Sequence, residues 1–224
     1  MMLPVFYTTY ESPIALQSFE YLLATVPVTI QNKVRWYKRW QDAHACLLGK
    51  HLLRYGLLQM GYHTMLEELA YTTYGRPYLK GLPDFNISHS GSMVICAISP
   101  HGRIGIDIEH RMAINVRDYL ELFSPLEWHN ILNEQPGQQL FYEYWTRKEA
   151  ILKADGRGIS EELRRLEVVN RQEVMLDHVT WYLSSVASFD EYACCFASDL
   201  KYTGYHLQRI HVDDILRSIK QAPV

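Results

Sequence analysis

Cysteine is scarce in this sequence, and its placement is as telling as its number. The four residues Cys46, Cys96, Cys194 and Cys195 form no CxxC pair and no ladder of regular spacings, which excludes both a disulfide framework and a zinc knuckle. They lie in apolar stretches and are expected to be small core residues of a protein kept in a reducing cytoplasm. Basic excess is also missing. Lys and Arg total 22 against 25 Asp and Glu, a net charge of −3, which argues against a general nucleic-acid binder. Long apolar runs are absent: Met93–Ile98 falls far short of the ~18 residues a membrane helix needs. The opening Met1-Met2-Leu3-Pro4-Val5 has neither a basic leader nor an apolar stretch, so no secretory signal is expected. No low-complexity tract or long linker interrupts the chain. What remains is 224 residues with 48% hydrophobic content, ample for a core and suited to one large domain or two of about 100 residues.

Within that frame, Gly105-Ile106-Asp107-Ile108-Glu109 carries chemistry. As a strand it sends Ile104, Ile106 and Ile108 to one face and Gly105, Asp107 and Glu109 to the other. The two carboxylates then stand roughly 6.5–7 Å apart, close enough to converge on one hard cation. Gly105 is expected to leave room there for a ligand to approach the backbone. Some forty residues on, Phe141, Tyr144, Trp145, Ile151 and Leu152 recur at helical spacing, and Asp155-Gly156-Arg157-Gly158 supplies a stop. The predicted helix over 140–155 puts Glu149 and Lys153 on one face. A solvated ion pair is the plain explanation for such a pair; beside Trp145 and an apolar stripe, the two also suit a third carboxylate next to a phosphate-binding cation.

Elsewhere the pattern is coarser. A helix is expected over Gln41–Leu58, turns at Tyr74-Gly75-Arg76-Pro77 and Leu82-Pro83-Asp84, and neighbouring strands at Met93–Ser99 and Arg103–Glu109. Ser124-Pro125-Leu126-Glu127 reads as an N-cap, a first-turn proline and a capping box. Further strands are expected near Val168–Val169, Thr180–Ser184 and Tyr192–Ala197. Val94–Ser99 is echoed faintly by Ala193–Ser198, about one hundred residues later.

Three segments, Phe85-Asn86-Ile87-Ser88-His89-Ser90-Gly91, the Gly105–Glu109 strand, and Trp145-Thr146-Arg147-Lys148-Glu149-Ala150 through Lys153, resemble the signatures of the 4′-phosphopantetheinyl transferases. The chain's length is similar to the monomeric surfactin-synthetase-activating (Sfp) type. Asp42-Ala43-His44 with Leu47-Leu48-Gly49, and Tyr74–Pro77, resemble the N-terminal family elements, so the likeness runs from about Lys33 to Gly158. It implies an α+β fold of two similar halves related by pseudo-twofold symmetry, with the active site between them. Residues 1–101 would carry the contacts to the 3′-phosphate of coenzyme A, and residues 102–224 the metal-binding carboxylates and the catalytic helix.

The resemblance implies transfer of 4′-phosphopantetheine from coenzyme A to a serine of an acyl or peptidyl carrier protein, with release of adenosine 3′,5′-bisphosphate. Attack on a pyrophosphate needs charge neutralisation, a base and phosphate-holding cations. Asp107, Glu109 and Glu149 would hold Mg²⁺; Glu149 is also the candidate base, and the two roles are left undivided. Lys153 would contact the transferred phosphate and Lys148 the remaining pyrophosphate charge. Lys33, Arg76, Ser88 and His89 are the candidates for the 3′-phosphate. Where the family often carries a basic residue after Asp-Ala-His, this chain has Ala45-Cys46; His44, Lys50 or Arg54 are the possible replacements. The carrier is expected to dock beside Arg111–Phe123. A monomer acting without nucleic acid or membrane is the expectation. Two other classes remain as alternatives: a non-catalytic coenzyme A or carrier-binding module, and a Mg²⁺-dependent phosphodiesterase or nucleotidyl transferase.

Overall fold

A computed structural model describes residues 1–63, 66–134, 138–158 and 161–221. In chain order the elements are β1 (Met2–Thr9), α1 (Leu16–Ala24), α2 (Val28–Trp36), α3 (Trp40–Gln59), β2 (Leu69–Tyr71), β3 (Pro77–Leu79), β4 (Asp84–Ser90), β5 (Met93–Ser99) and β6 (Ile104–His110). They continue with α4 (Pro125–Asn133), α5 (Gln139–Asp155), β7 (Glu173–Leu176), β8 (Val179–Ser185), β9 (Tyr192–Ser198), β10 (Gly204–Arg209) and α6 (Val212–Gln221). The fold is mixed α+β, with two four-stranded sheets ordered β10-β1-β5-β4 and β6-β9-β8-β7 and a short β2–β3 pair.

Side-chain alternation along the strands builds three cores. Leu3, Val5, Ile95 and Ala97 of the first sheet pack against Ile104, Ile106, Ile108 and Phe196 of the second. The alternate residues Val94, Cys96 and Ile98 turn outward to Leu47, Leu48 and Leu52 of α3. Ala193, Cys195 and Ala197 turn outward to Ala150, Ile151 and Ala154 of α5. The result is helix, sheet, sheet, helix, with the sheets back to back. Both faces of β5 and β9 are therefore buried, which is why their sequences are unbroken apolar runs.

The expected helices at 41–58 and 140–155 form as α3 and α5, and α5 ends on Gly156 at φ 87°, a left-handed cap that suits glycine. The capping box at Ser124 and Glu127 is present. Two expectations need correction. β5 and β6 are not paired neighbours: β5 pairs with β1 and β4, and β6 with β9, so the turn at residues 100–103 carries the chain from one sheet to the other. Val168–Val169 is not a strand; the edge strand is β7, and Val168 instead donates its N–H to Glu127 Oε1 at 2.9 Å. The C-terminal segment also crosses back. β10 pairs in parallel with β1 and Ile215 of α6 joins the core under α3, so both elements add to the first sheet's side.

The sheets meet edge to edge in an unusual way. β4 and β6 lie side by side without a backbone ladder. Instead, every second side chain of β4 accepts a backbone N–H of β6: Asp84 Oδ2 from Ile104 at 2.8 Å and Asn86 Oδ1 from Ile106 at 3.0 Å. Ser88 Oγ accepts from Ile108 at 3.4 Å and Ser90 Oγ from His110 at 3.1 Å. The constant offset of twenty residues fixes the register of the two sheets.

Lys148 is wholly buried beneath α5, where its ammonium donates to Glu127 Oε2 at 2.6 Å and to the carbonyls of Leu163 at 2.7 Å and Leu122 at 3.1 Å. Its three protons are thereby spent inside the second core. Burial depresses its pKa and Glu127 opposes that. Lys148→Met strands the Glu127 carboxylate and should cost about 3–5 kcal/mol of stability. Urea unfolding would measure this; a loss under 1 kcal/mol would mean the pair is dispensable.

Candidate active site

The carboxylate strand faces α5 because Gly105 lets it. A Cβ at Gly105 would stand 2.1 Å from the Ala150 carbonyl oxygen and 2.4 Å from the Ala154 nitrogen. The glycine thus admits the helix, not a ligand as the sequence suggests. With α5 so close, Glu149 and Lys153 come down onto Asp107 and Glu109. Together with Ile87, Ser88, His89 and Trp145 they line a cavity of about 240 Å³. A second cavity of about 200 Å³ shares Glu149 and Lys153 and extends past Asn86 to Tyr74–Pro77 and Gly156.

Hydrogen bonding in the first cavity is dense. Lys153 Nζ donates to Asp107 Oδ1 at 2.5 Å and to Ser88 Oγ at 2.9 Å, and the Ser88 hydroxyl donates to Asp107 Oδ1 at 2.9 Å. The Ser90 hydroxyl donates to Glu109 Oε2 at 2.8 Å. Asp107 is only 2% exposed. Burial raises the pKa of Glu109, and the charge of Asp107 adds to it, against Ser90, Lys153 and Trp145. Glu149 is raised in the same way, by burial first and Asp107 next. Three carboxylates and one lysine leave excess negative charge in a poorly solvated place.

A metal fit can be judged from the orphaned oxygens. Asp107 Oδ2 and Glu149 Oε1 are buried without hydrogen-bond partners, a costly state for carboxylate oxygens. A small, hard cation would satisfy both and relieve the mutual repulsion. Among the described residues no three His, Cys, Asp or Glu side chains are gathered closely enough to form a metal site as they stand; Lys153 occupies Asp107 Oδ1 instead.

The remaining candidates separate. His89 and Ser88 lie in the cavity wall, while Lys33 is exposed on α2, near enough for its charge to be felt at His89. Desolvation by the surrounding walls lowers the His89 pKa, and Lys153 and Lys33 push the same way against Asp42 and Asp107. Ser88 has its proton on Asp107, so its hydroxyl is an acceptor for other groups. Lys148 is not part of the site: it points into the opposite core, and a pyrophosphate contact from it is excluded by its Glu127 pairing. The reason is helical geometry, since residues 148 and 149 point about 100° apart. Of the proposed stand-ins near Ala45, His44 uses both ring nitrogens internally, with Ile14 N–H at 3.0 Å and the Trp40 carbonyl at 2.7 Å. Arg54 donates to the Thr25 carbonyl at 3.3 Å. Lys50 makes no ion pair among the described residues; burial lowers its pKa and Lys33 pushes the same way, against Cys46 and Cys96.

A family model of the 4′-phosphopantetheinyl transferase superfamily matches residues 103–197, the span that contains β6, α5 and every carboxylate of the cavity. A 4′-phosphopantetheinyl transferase of Bacillus subtilis is 34% identical over 168 residues, 70% of this chain and 72% of its own. The chain belongs to this family. The transferase Sfp of Bacillus subtilis strain 168 is 32% identical over 169 residues, covering 73% of this chain and 75% of that one. An L-aminoadipate-semialdehyde dehydrogenase-phosphopantetheinyl transferase of Xenopus laevis is 29% identical over 170 residues, 66% of this chain and 56% of its own.

Arg76 bears on how a transferase of this family grips its donor. Its guanidinium donates to both oxygens of Asp84 at 2.8 and 2.7 Å, to the Lys153 carbonyl at 2.9 Å and to the Ile104 carbonyl at 2.9 Å. Four of its five N–H groups are spent on protein, tying the β2–β3 region to β4, β6 and the end of α5. One donor remains for a phosphate. Arg76→Ala should therefore slow turnover of coenzyme A and of dephospho-coenzyme A by similar factors, and cost about 3 kcal/mol of stability through the uncompensated Asp84. Arg76→Lys should not restore either, because the planar fork is lost. A loss confined to coenzyme A would return Arg76 to the 3′-phosphate pocket.

Ser90 and Asn86 carry functional geometry that the sequence reading left out. The available signal was the polar alternation Asp84, Asn86, Ser88, Ser90 around Phe85, Ile87 and His89. Such alternation marks a strand whose polar side chains line one face.

Proposed function

We propose that this chain moves the 4′-phosphopantetheine group of coenzyme A onto a serine hydroxyl of an acyl or peptidyl carrier protein. The reaction uses Mg²⁺ and releases adenosine 3′,5′-bisphosphate. The observation that carries this reading is the convergence of Asp107, Glu109, Glu149 and Lys153 from two elements on one cavity, in a chain of the phosphopantetheinyl transferase family. Asp107, Glu109 and Glu149 would hold the Mg²⁺, whose part is to neutralise the pyrophosphate and sharpen its electrophilicity. Lys153, displaced from Asp107, offers its ammonium to the transferred phosphate. Glu149, raised in pKa by burial, would take the serine proton. His89 with Lys33 and Lys50 are the groups left for the 3′-phosphate, while Arg76 is spent on the scaffold.

Two finer readings accompany it. The halves 1–101 and 102–224 are related by a pseudo-twofold: β1-β5-β4 and β6-β9-β8 share one antiparallel order, with α3 and α5 in matching places between the first two strands in sequence, which is what supports it. Since one chain supplies both halves, the enzyme acts as a monomer. The carrier docks beside residues 111–123, where Met112, Tyr119 and Leu120 are exposed and Phe123 is buried. Arg111 and Arg117 are placed there to steer an acidic partner. Among the described residues no helix is long and apolar enough to cross a membrane.

Incubation with coenzyme A, Mg²⁺ and an apo carrier, read by carrier mass, tests the reading. A gain of one phosphopantetheine supports it. Hydrolysis of the pyrophosphate without carrier modification would favour the phosphodiesterase class, and binding without turnover the non-catalytic module. Glu149→Gln should lower turnover by roughly 100-fold or more while coenzyme A binding shifts little; equal losses in both would recast Glu149 as a metal ligand only. The raised pKa values of Glu109 and Glu149 mean that these groups take up protons at a higher pH than exposed glutamates. Transfer should accordingly fall on the acid side above the ordinary glutamate range, and saturating Mg²⁺ should move that limb to lower pH. An acid limb indifferent to Mg²⁺ would detach the carboxylates from the metal.

A further inference from the structure

The four rungs between β4 and β6 are chemically unequal. At the closed end, Asp84 and Asn86 accept their N–H groups through side-chain oxygens; Asp84 is gripped in addition by Arg76. At the open end the rungs are serines. A hydroxyl has one proton and two lone pairs, so a serine can accept a strand N–H and still donate. Both do so. Ser90 accepts from His110 N–H at 3.1 Å and donates to Glu109 Oε2 at 2.8 Å. Ser88 accepts from Ile108 N–H at 3.4 Å and from Lys153, and donates to Asp107 Oδ1. Ionised carboxylates demand donors, and an asparagine oxygen or a carboxylate in those places would face them with another acceptor. The change from Asp and Asn to Ser and Ser falls at the point along β4 where the facing β6 residues become Asp107 and Glu109.

We propose that Ser90 is a positioning residue for the divalent cation, acting through Glu109. It is tied to the backbone at His110, so its proton fixes Oε2 of Glu109 against the neighbouring strand. The Glu109 carboxyl, which also has Trp145 beside it, then lines the cavity with Asp107 and Glu149. Ser88 does the same for Asp107, whose Oδ2 is left without a hydrogen-bond partner. The pair of hydroxyls converts a structural ladder between the sheets into the alignment of two acidic groups. Removing the Ser90 proton frees Glu109 to rotate, and a flexible ligand holds a cation less well. Partners of this kind that orient a metal ligand typically contribute 10–100-fold in affinity.

The inference rests on the Mg²⁺ reading above, and the experiment separates the two. Mn²⁺, an oxygen-preferring substitute visible by electron paramagnetic resonance, is titrated into the full-length protein with coenzyme A and no carrier, so that no turnover occurs. Thermal midpoints are recorded for the same samples without metal. Ser90→Ala should weaken Mn²⁺ binding by roughly tenfold, and Ser90→Thr, which keeps the hydroxyl, should restore it to within about twofold. With Mg²⁺ and carrier, the alanine variant should regain much of its turnover as Mg²⁺ is raised. A Ser90→Ala protein that melts earlier but binds Mn²⁺ as wild type does would make Ser90 a structural rung only and overturn the proposal. Failure of the threonine variant to recover Mn²⁺ affinity would overturn it too. No Mn²⁺ binding by the wild-type protein would remove the metal reading itself and the positioning role with it.

Discussion

The side-chain ladder between β4 and β6 is the constraint on which the rest of this structure depends. An ordinary sheet would have satisfied the edge of β6 with the carbonyls of a neighbouring strand. Here Asp84, Asn86, Ser88 and Ser90 supply the acceptors. A buried N–H without a partner is costly, so the ladder joins the two halves while letting the sheets pack back to back through Ile104, Ile106 and Ile108. It also decides what faces what. The side of β6 away from that apolar face holds Gly105, Asp107 and Glu109, and α5 descends onto it because Gly105 has no side chain in the way.

Charge is the second organising quantity. Two lysines five residues apart on α5 resolve into opposite roles. Lys148 is neutralised by Glu127 and two carbonyls in a dry core, where its work is to lock α4 and the 163–168 segment to α5. Lys153, less buried, sits on Asp107 at the edge of a cavity with further carboxylates in reach. The first pair is closed and satisfied. The second leaves oxygens of Asp107 and Glu149 orphaned, an arrangement that is unfavourable for folding and suited to receiving a cation and a phosphate. Stability and function are thus divided between neighbouring turns of one helix.

Much of this was legible from sequence. The helices α3 and α5, the cap at Gly156, the capping box at Ser124, the carboxylate strand and the shared face of Glu149 and Lys153 all follow from local periodicity and residue chemistry. What escaped was non-local. The reading of β5 and β6 as neighbours failed because a short turn between two apolar strands looks the same whether it joins one sheet or crosses to another. Helical geometry sets Lys148 about 140° around α5 from Lys153, but that its side of the helix holds Glu127 and the carbonyls of Leu122 and Leu163 is a tertiary outcome. Arg76 was read as a phosphate ligand because an arginine in a turn shows no sign of its carbonyl partners at Ile104 and Lys153.

By itself the sequence determined which side chains share a face. An alternating strand and a helical repeat dictate that Asp107 shares a face with Glu109 and Glu149 with Lys153, because side-chain direction is a local property of backbone geometry. It determined the family as well, through three segments in order. Only the tertiary structure decided that these two faces meet, that Lys148 finds Glu127, and that Ser88 and Ser90 face the two acids. Those outcomes depend on the twenty-residue register between β4 and β6 and on the close approach of α5 at Gly105, which are set by packing between distant segments and leave no periodic trace in the chain.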